Sequence, residues 1–272
     1  MIKMKVGVNS YIIREISGNG FSIDELPIDV IELGFDGLRG LTDKGIDWDV
    51  LHGLLTLDVE FTLHAPTSDG RNIRVDLCVN SRKNIEIMEN VFEIARTLDA
   101  KYVVVHGGDI KDSYHKALVN TRKQMMELSA VAEEYGVKLV IENLIDNRIG
   151  AFPHELIPFL EENVSVCFDI GHAFINSLKY GLGVEEYMLL PGIEHVHLHD
   201  NNGAKDEHRA LGEGRINFDD LIPKILSLRP KNVIWEIRDY WDRENVLRSI
   251  LSVKRVKYVR PAFPIRVSKR GL

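Results

Sequence analysis

The chain has 272 residues, 44% hydrophobic and 28% charged, a balance that excludes a low-complexity or disordered protein. Its net charge of −7 excludes the general basic surface of a polyanion binder, and no apolar run approaches the roughly 18 residues that span a bilayer. The two cysteines, Cys78 and Cys167, form no C-x-x-C pair, which excludes a disulfide framework and a thiolate zinc knuckle; any metal is left to nitrogen and oxygen ligands.

Short runs rich in Val and Ile, each followed by a longer helical stretch, recur along the chain as βα units. Strands are predicted over 5–9, 30–34, 60–64, 102–106, 138–142, 165–169, 195–199 and 233–237. A helix over 81–98 aligns Ile85, Met88, Val91, Phe92 and Ala95 on one face, and a second over 113–135 aligns Leu118, Met125, Leu128 and Ala132. A third over 218–228 starts behind Asn217 as N-cap, and a fourth over 244–256 closes the series. Strand–helix alternation without a long linker predicts an α/β fold, a single (βα)8 TIM barrel over 1–259. A basic tail over 260–272 carries Arg260, Arg266, Lys269 and Arg270. Residues 1–5 run straight into the first strand without a signal-peptide pattern, so a cytoplasmic location is expected.

In a parallel barrel the reactive groups stand where strands end, and here six successive strands end on polar residues. These are His64, His106, Glu142, Asp169, the alternating His195, His197 and His199, and Glu236. Carboxylates crowded into one mouth repel one another unless a cation joins them, and imidazole and carboxylate are ligands for a divalent metal. Loops add His172, three residues beyond Asp169, and the pair Asp206 and His208. Nine candidate ligands result: His64, His106, Glu142, Asp169, His172, His197, Asp206, His208 and Glu236. That exceeds the need of one ion, so one to three ions are expected, with Zn, Mn, Co and Mg all admitted.

His195 and His199 share a face with His197 and either can join the site, with His195 expected deeper in the core. Cys167 reads as a small interior packing residue and Glu32 as a hydrogen-bonding group inside the barrel. Asn9 ends the first strand within reach of a substrate or as a loop cap. Gly212, Glu213 and Gly214 lack the Lys and Ser or Thr of a phosphate cradle and read as a turning loop, while His52, His115 and His154 read as surface residues.

The segments His64-Ala65-Pro66, Glu142-Asn143, Asp169-Ile170-Gly171-His172-Ala173, His197-Leu198-His199-Asp200-Asn201 and Asp206 to His208 resemble the xylose-isomerase-like barrel superfamily across nearly the whole chain. That superfamily joins sugar-phosphate isomerases and epimerases with the endonuclease IV family. For the first branch the resemblance implies one ion on Glu142, Asp169, His197 and Glu236, with Glu142 and Glu236 moving protons through an enediolate. His172 and Arg238 then hold the hydroxyls or phosphate of a small carbohydrate substrate. For the second branch it implies three zinc ions on all nine positions and hydrolysis of a phosphodiester in abasic DNA. The acidic balance, the short loop from His197 to Asp206, and Thr67, Ser68, Asp69 and Gly70 where those endonucleases place a DNA-probing aromatic favour the small-molecule branch over DNA. A non-catalytic metal- or sugar-binding barrel is the third reading, and a homo-oligomer is compatible with each.

Overall fold

The computed structural model describes residues 4–35, 40–67 and 73–256. The basic tail, and Ser68, Asp69 and Gly70 after the His64 loop, lie outside the described residues. Eight strands close a parallel barrel: β1 (Lys5–Asn9), β2 (Val30–Gly34), β3 (Glu60–His64), β4 (Tyr102–Val105), β5 (Lys138–Glu142), β6 (Val164–Asp169), β7 (Ile193–Leu198) and β8 (Asn232–Trp235). Each strand pairs with its chain neighbours, and β1 pairs with β8 to complete the ring.

The main covering helices are α1 (Arg82–Thr97), α2 (Tyr114–Glu134), α3 (Ile170–Tyr180), α4 (Phe218–Ser227) and α5 (Arg243–Val256). Ser81, Ser113 and Asn217 cap α1, α2 and α4 by accepting main-chain N–H bonds from the first turn. Behind β1 and β5 the covering helix shrinks to one turn, Arg14–Ser17 and Pro153–Leu156. The first stops at Gly18, which takes the left-handed conformation at φ 81°; the second passes into a 3-10 turn containing Pro158. No helix among the described residues is long and apolar enough to cross a membrane.

All six residues of β6 are buried, as expected for a strand covered on both faces. A register shift between Val166 and Cys167 sets Cys167 opposite His195 and Asp169 opposite His197. β4 and β7 end one residue earlier than the alternation predicts and β8 two residues earlier, so His106, His199 and Glu236 stand just beyond their strands. Glu236 nevertheless stays in register, its N–H donating to Leu198 O at 2.9 Å.

Candidate metal centre

The strand ends and two loops bring all nine expected ligands to the mouth of the barrel, in three groups whose ligating atoms lie within 4.8 Å of one another. The first is His64, His106 and Glu142; the second is Glu142, Asp169, His197 and Glu236; the third is His172, His199, Asp206 and His208. Glu142 belongs to two groups. His199 is the addition to the nine: β7 carries it past the mouth, and its Nε2 lies 3.2 Å from Asp169 Oδ1. Its place depends on the approach of Gly171, where a Cβ would stand 2.0 Å from the His199 ring.

Local structure fixes each side chain. Asp169 caps α3: its Oδ1 accepts the His172 N–H at 2.7 Å, while its buried Oδ2 has no hydrogen-bond partner. The three-residue step from Asp169 to His172 is therefore the geometry of a helix N-cap. The Asn143 amide clamps Asp169 from behind, accepting from its N–H at 2.7 Å and donating to its carbonyl at 2.8 Å. Asp200, fully buried, accepts main-chain N–H bonds from Asn201, Gly212, Gly214 and Ile216, which folds the loop bearing Asp206 and His208. A Cβ at Gly214 would stand 2.3 Å from Asp200 Oδ1, so the Gly212 to Gly214 run is a turn built around that carboxylate. His208 holds the left-handed conformation at φ 48°, a strained position of the kind found at ligand clamps.

Three imidazoles show the same division of labour between ring nitrogens. Nδ1 of His64, His172 and His208 donates to the carbonyls of Ala65, Asn143 and Glu236 at 3.0, 2.9 and 3.1 Å. A carbonyl only accepts, so Nδ1 holds the hydrogen and Nε2 of the neutral ring carries a lone pair. Each Nε2 faces a carboxylate oxygen at 3.2 Å: Glu142 for His64, and Asp206 for His172 and His208. Two lone pairs in that position need a proton or a cation between them, and second atoms tied to carbonyls are how metal-binding histidines are oriented.

Glu142, Asp169, Asp206 and Glu236 have only imidazoles as ion-pair partners among the described residues, with no Lys or Arg on any of them. Buried Asp169 Oδ2, Asp206 Oδ1, His197 Nδ1 and both His199 nitrogens lack hydrogen-bond partners. The donor set thus fits divalent ions. The titration of the metal-free groups shows the proton standing in for the cation. Burial pulls His64 down, and bonding to Glu142 more than reverses it, leaving the ring pushed up to about 9. Burial raises Glu142, but the imidazoles of His106 and His197 hold it well below the carboxylate range. The same contest holds His172 well above the ordinary imidazole value and Asp206 below the carboxylate value.

His195 lies under the mouth as expected, in a buried group with Cys167 and His197, and Cys167 packs against Val104 and Val140. Glu32 also lies inside the barrel, where it accepts the Thr62 hydroxyl. The mouth opens into a cavity of about 770 Å³ whose lining includes Asn9 and Arg238. Asn9 is buried with Oδ1 lacking a partner, whereas Arg238 is exposed.

A family model for xylose isomerase-like TIM barrels matches residues 23–255. A protein of uncharacterised function from Methanocaldococcus jannaschii is 30% identical over 93% of this chain and 91% of its own. The solved structure of a D-tagatose 3-epimerase-like protein is 30% identical with a TM-score of 0.74, covering 94% of this chain and all of that one. A probable endonuclease 4 from Halobacterium salinarum is 28% identical over 49% of this chain and 54% of its own length. With its closed eight-stranded barrel and acid–imidazole mouth, the chain belongs to the xylose isomerase-like TIM-barrel family.

Proposed function

We propose that the chain is a multinuclear metal-dependent hydrolase of phosphodiesters. One observation carries this reading: three ligand groups, two of them sharing Glu142, stand together in one cavity. Enolisation needs only the second group, with His172 as a substrate contact, and offers no use for the carbonyl-tied Nε2 atoms of His64 and His208. His64, His106 and Glu142 would hold one ion, Glu142, Asp169, His197 and Glu236 a second, and His172, Asp206 and His208 with His199 a third. Divalent ions so held supply Lewis-acid polarisation of a phosphoryl oxygen and activation of water. The protein's part is to fix the carboxylates before substrate arrives, through the Asn143 clamp on Asp169 and the Asp200 clamp on the loop. Arg238, exposed at the cavity and without an ion-pair partner among the described residues, is placed to bind a phosphate oxygen, and Asn9 to donate to or accept from a sugar hydroxyl.

The partial likeness to a probable endonuclease 4 supports the same reading. The test is metal analysis combined with cleavage of bis(p-nitrophenyl) phosphate and of a duplex bearing one abasic site. Three ions per chain and hydrolysis of the diester are expected; three bound ions with neither substrate cleaved would retire the proposal, and a nicked duplex would extend it to DNA.

A second reading is isomerisation or epimerisation of a small sugar or sugar phosphate through an enediolate. It is favoured by Glu142 and Glu236 both lying close to His197 Nδ1, at 3.6 and 3.4 Å, and by the likeness to a D-tagatose 3-epimerase-like protein. One ion per chain, with deuterium entering a ketohexose from heavy water and exchange lost in Glu236→Gln, is the outcome that would select it.

A further inference from the structure

Three of the mouth imidazoles take their orientation from main-chain carbonyls, and His197 does not. Its Nδ1 faces Glu236 Oε2 at 3.4 Å, Glu142 Oε1 at 3.6 Å and Asp169 Oδ2 at 3.9 Å. Its Nε2 points the other way, into the barrel, and lies 2.9 Å from Glu32 Oε1. Glu32 stands in the middle of β2 and is 1% exposed. The second Glu32 oxygen lies 2.8 Å from His195 Nε2 and accepts the Thr62 hydroxyl at 3.3 Å. Neither contact is aligned as a hydrogen bond and neither Nε2 has another partner, so by distance Glu32 is the acceptor within reach of both.

The lower end of this ladder sets its polarity. His195 Nδ1 receives the Asn232 amide nitrogen at 3.4 Å, and an amide NH2 only donates. His195 therefore keeps its hydrogen on Nε2, aimed at one Glu32 oxygen, which leaves the other oxygen for the Nε2–H of His197. With both rings neutral each Nε2–H stands against a Glu32 oxygen, and the free lone pair emerges at His197 Nδ1, among the carboxylates of the second group.

We propose that Glu32 is a positioning residue of the metal centre: it holds the hydrogen of His197 on Nε2 and thereby presents Nδ1 to the ion shared by Glu142, Asp169 and Glu236. The proposal rests on the reading of that group as ion-holding. Cys167, His195 and His197 form a competing buried group, and an ion there would draw His197 away from Glu142, Asp169 and Glu236.

Glu32→Gln keeps the volume and leaves one oxygen where two were, so one of the two imidazoles loses its acceptor. Chelator competition should show one ion of the wild-type complement bound about 10- to 100-fold more weakly in E32Q, the others unchanged, as for the loss of an outer partner of a ligating histidine. In cadmium-113-loaded wild type, histidine nitrogen-15 spectra should show coupling to His197 Nδ1 with a hydrogen retained on Nε2, a readout that requires no variant to fold. Coupling through Nε2, wild-type affinity in E32Q, or a bound ion lost on Cys167→Ser would each overturn the proposal. Wild type that takes up no ion at the Glu142, Asp169, His197 and Glu236 group would instead sink the reading beneath it.

Discussion

At the bottom of the barrel Glu194 receives Lys138 at 2.7 Å, the Tyr102 hydroxyl at 2.9 Å and the Ser165 hydroxyl at 3.1 Å, and Lys5 pairs with Glu60. At the mouth, four carboxylates face six imidazoles across the three groups and Lys or Arg pairs with none of the four among the described residues. The two ends use similar acids to opposite purposes. A carboxylate closed by a fixed ammonium and two hydroxyls has completed its bonding within the chain; one left to imidazole lone pairs has its bonding completed by something the chain must take up. The same division separates the structural and reactive faces of parallel barrels.

The strongest way to break this contrast is to strike the residue two groups share. Glu142→Gln should release two ions per chain and lower hydrolysis on the order of a thousandfold, ~4 kcal/mol in the barrier, as read by metal analysis and kcat/KM. Retention of all ions would erase the distinction between mouth and floor.

A second test uses pH on the chelated protein. The folded value of His64 is raised from 6.5 to about 9, so the stability it contributes is complete below pH 6.5 and is lost as pH rises through 9. The shift corresponds to about 3 kcal/mol, and denaturant midpoints of metal-free protein should fall between pH 7 and 10. Metal-loaded protein, in which the ion takes the proton's place, should not show that fall.

The floor should respond in the opposite sense. Glu194→Gln leaves Lys138 without its counter-charge and should cost about 1–3 kcal/mol in urea unfolding with metal content unchanged. The smallest effect belongs to the cavity wall: Arg238→Ala should raise KM for a phosphodiester about tenfold, ~1.4 kcal/mol, while kcat and bound metal stay put.

Much of the mouth was legible because two periodicities coincide there. Alternation along a strand and the polar residue that ends it marked His64, His106, Glu142, Asp169 and Glu236 without any knowledge of neighbours. Asp206 and His208 were legible only as a weak loop signal after the seventh strand, strengthened by the resemblance, since nothing in local pattern says that a loop folds back. The fold-back is the work of Asp200, whose bonds to Gly212, Gly214 and Ile216 reach up to sixteen residues along the chain. His199 and the Glu32 to His195 contact were not separable from the core, because the first depends on the close approach of Gly171 and the second on two strands meeting across the barrel interior. The one-turn helices behind β1 and β5 escaped a reading based on long periodic segments, being too short to carry a period.

Strand β7 and the residue just past its end carry His195, His197 and His199 at alternate positions, each step about 6.6 Å along the strand. One strand thus threads the buried ladder, the second group and the third like rungs on a single rail. A one-residue slip of the whole strand in its register would turn all three rings toward the helices at once. The centre therefore tolerates change at its edges far more readily than a frame error in this single stretch, and any lineage that altered the spacing here would have to rebuild the whole mouth in one step.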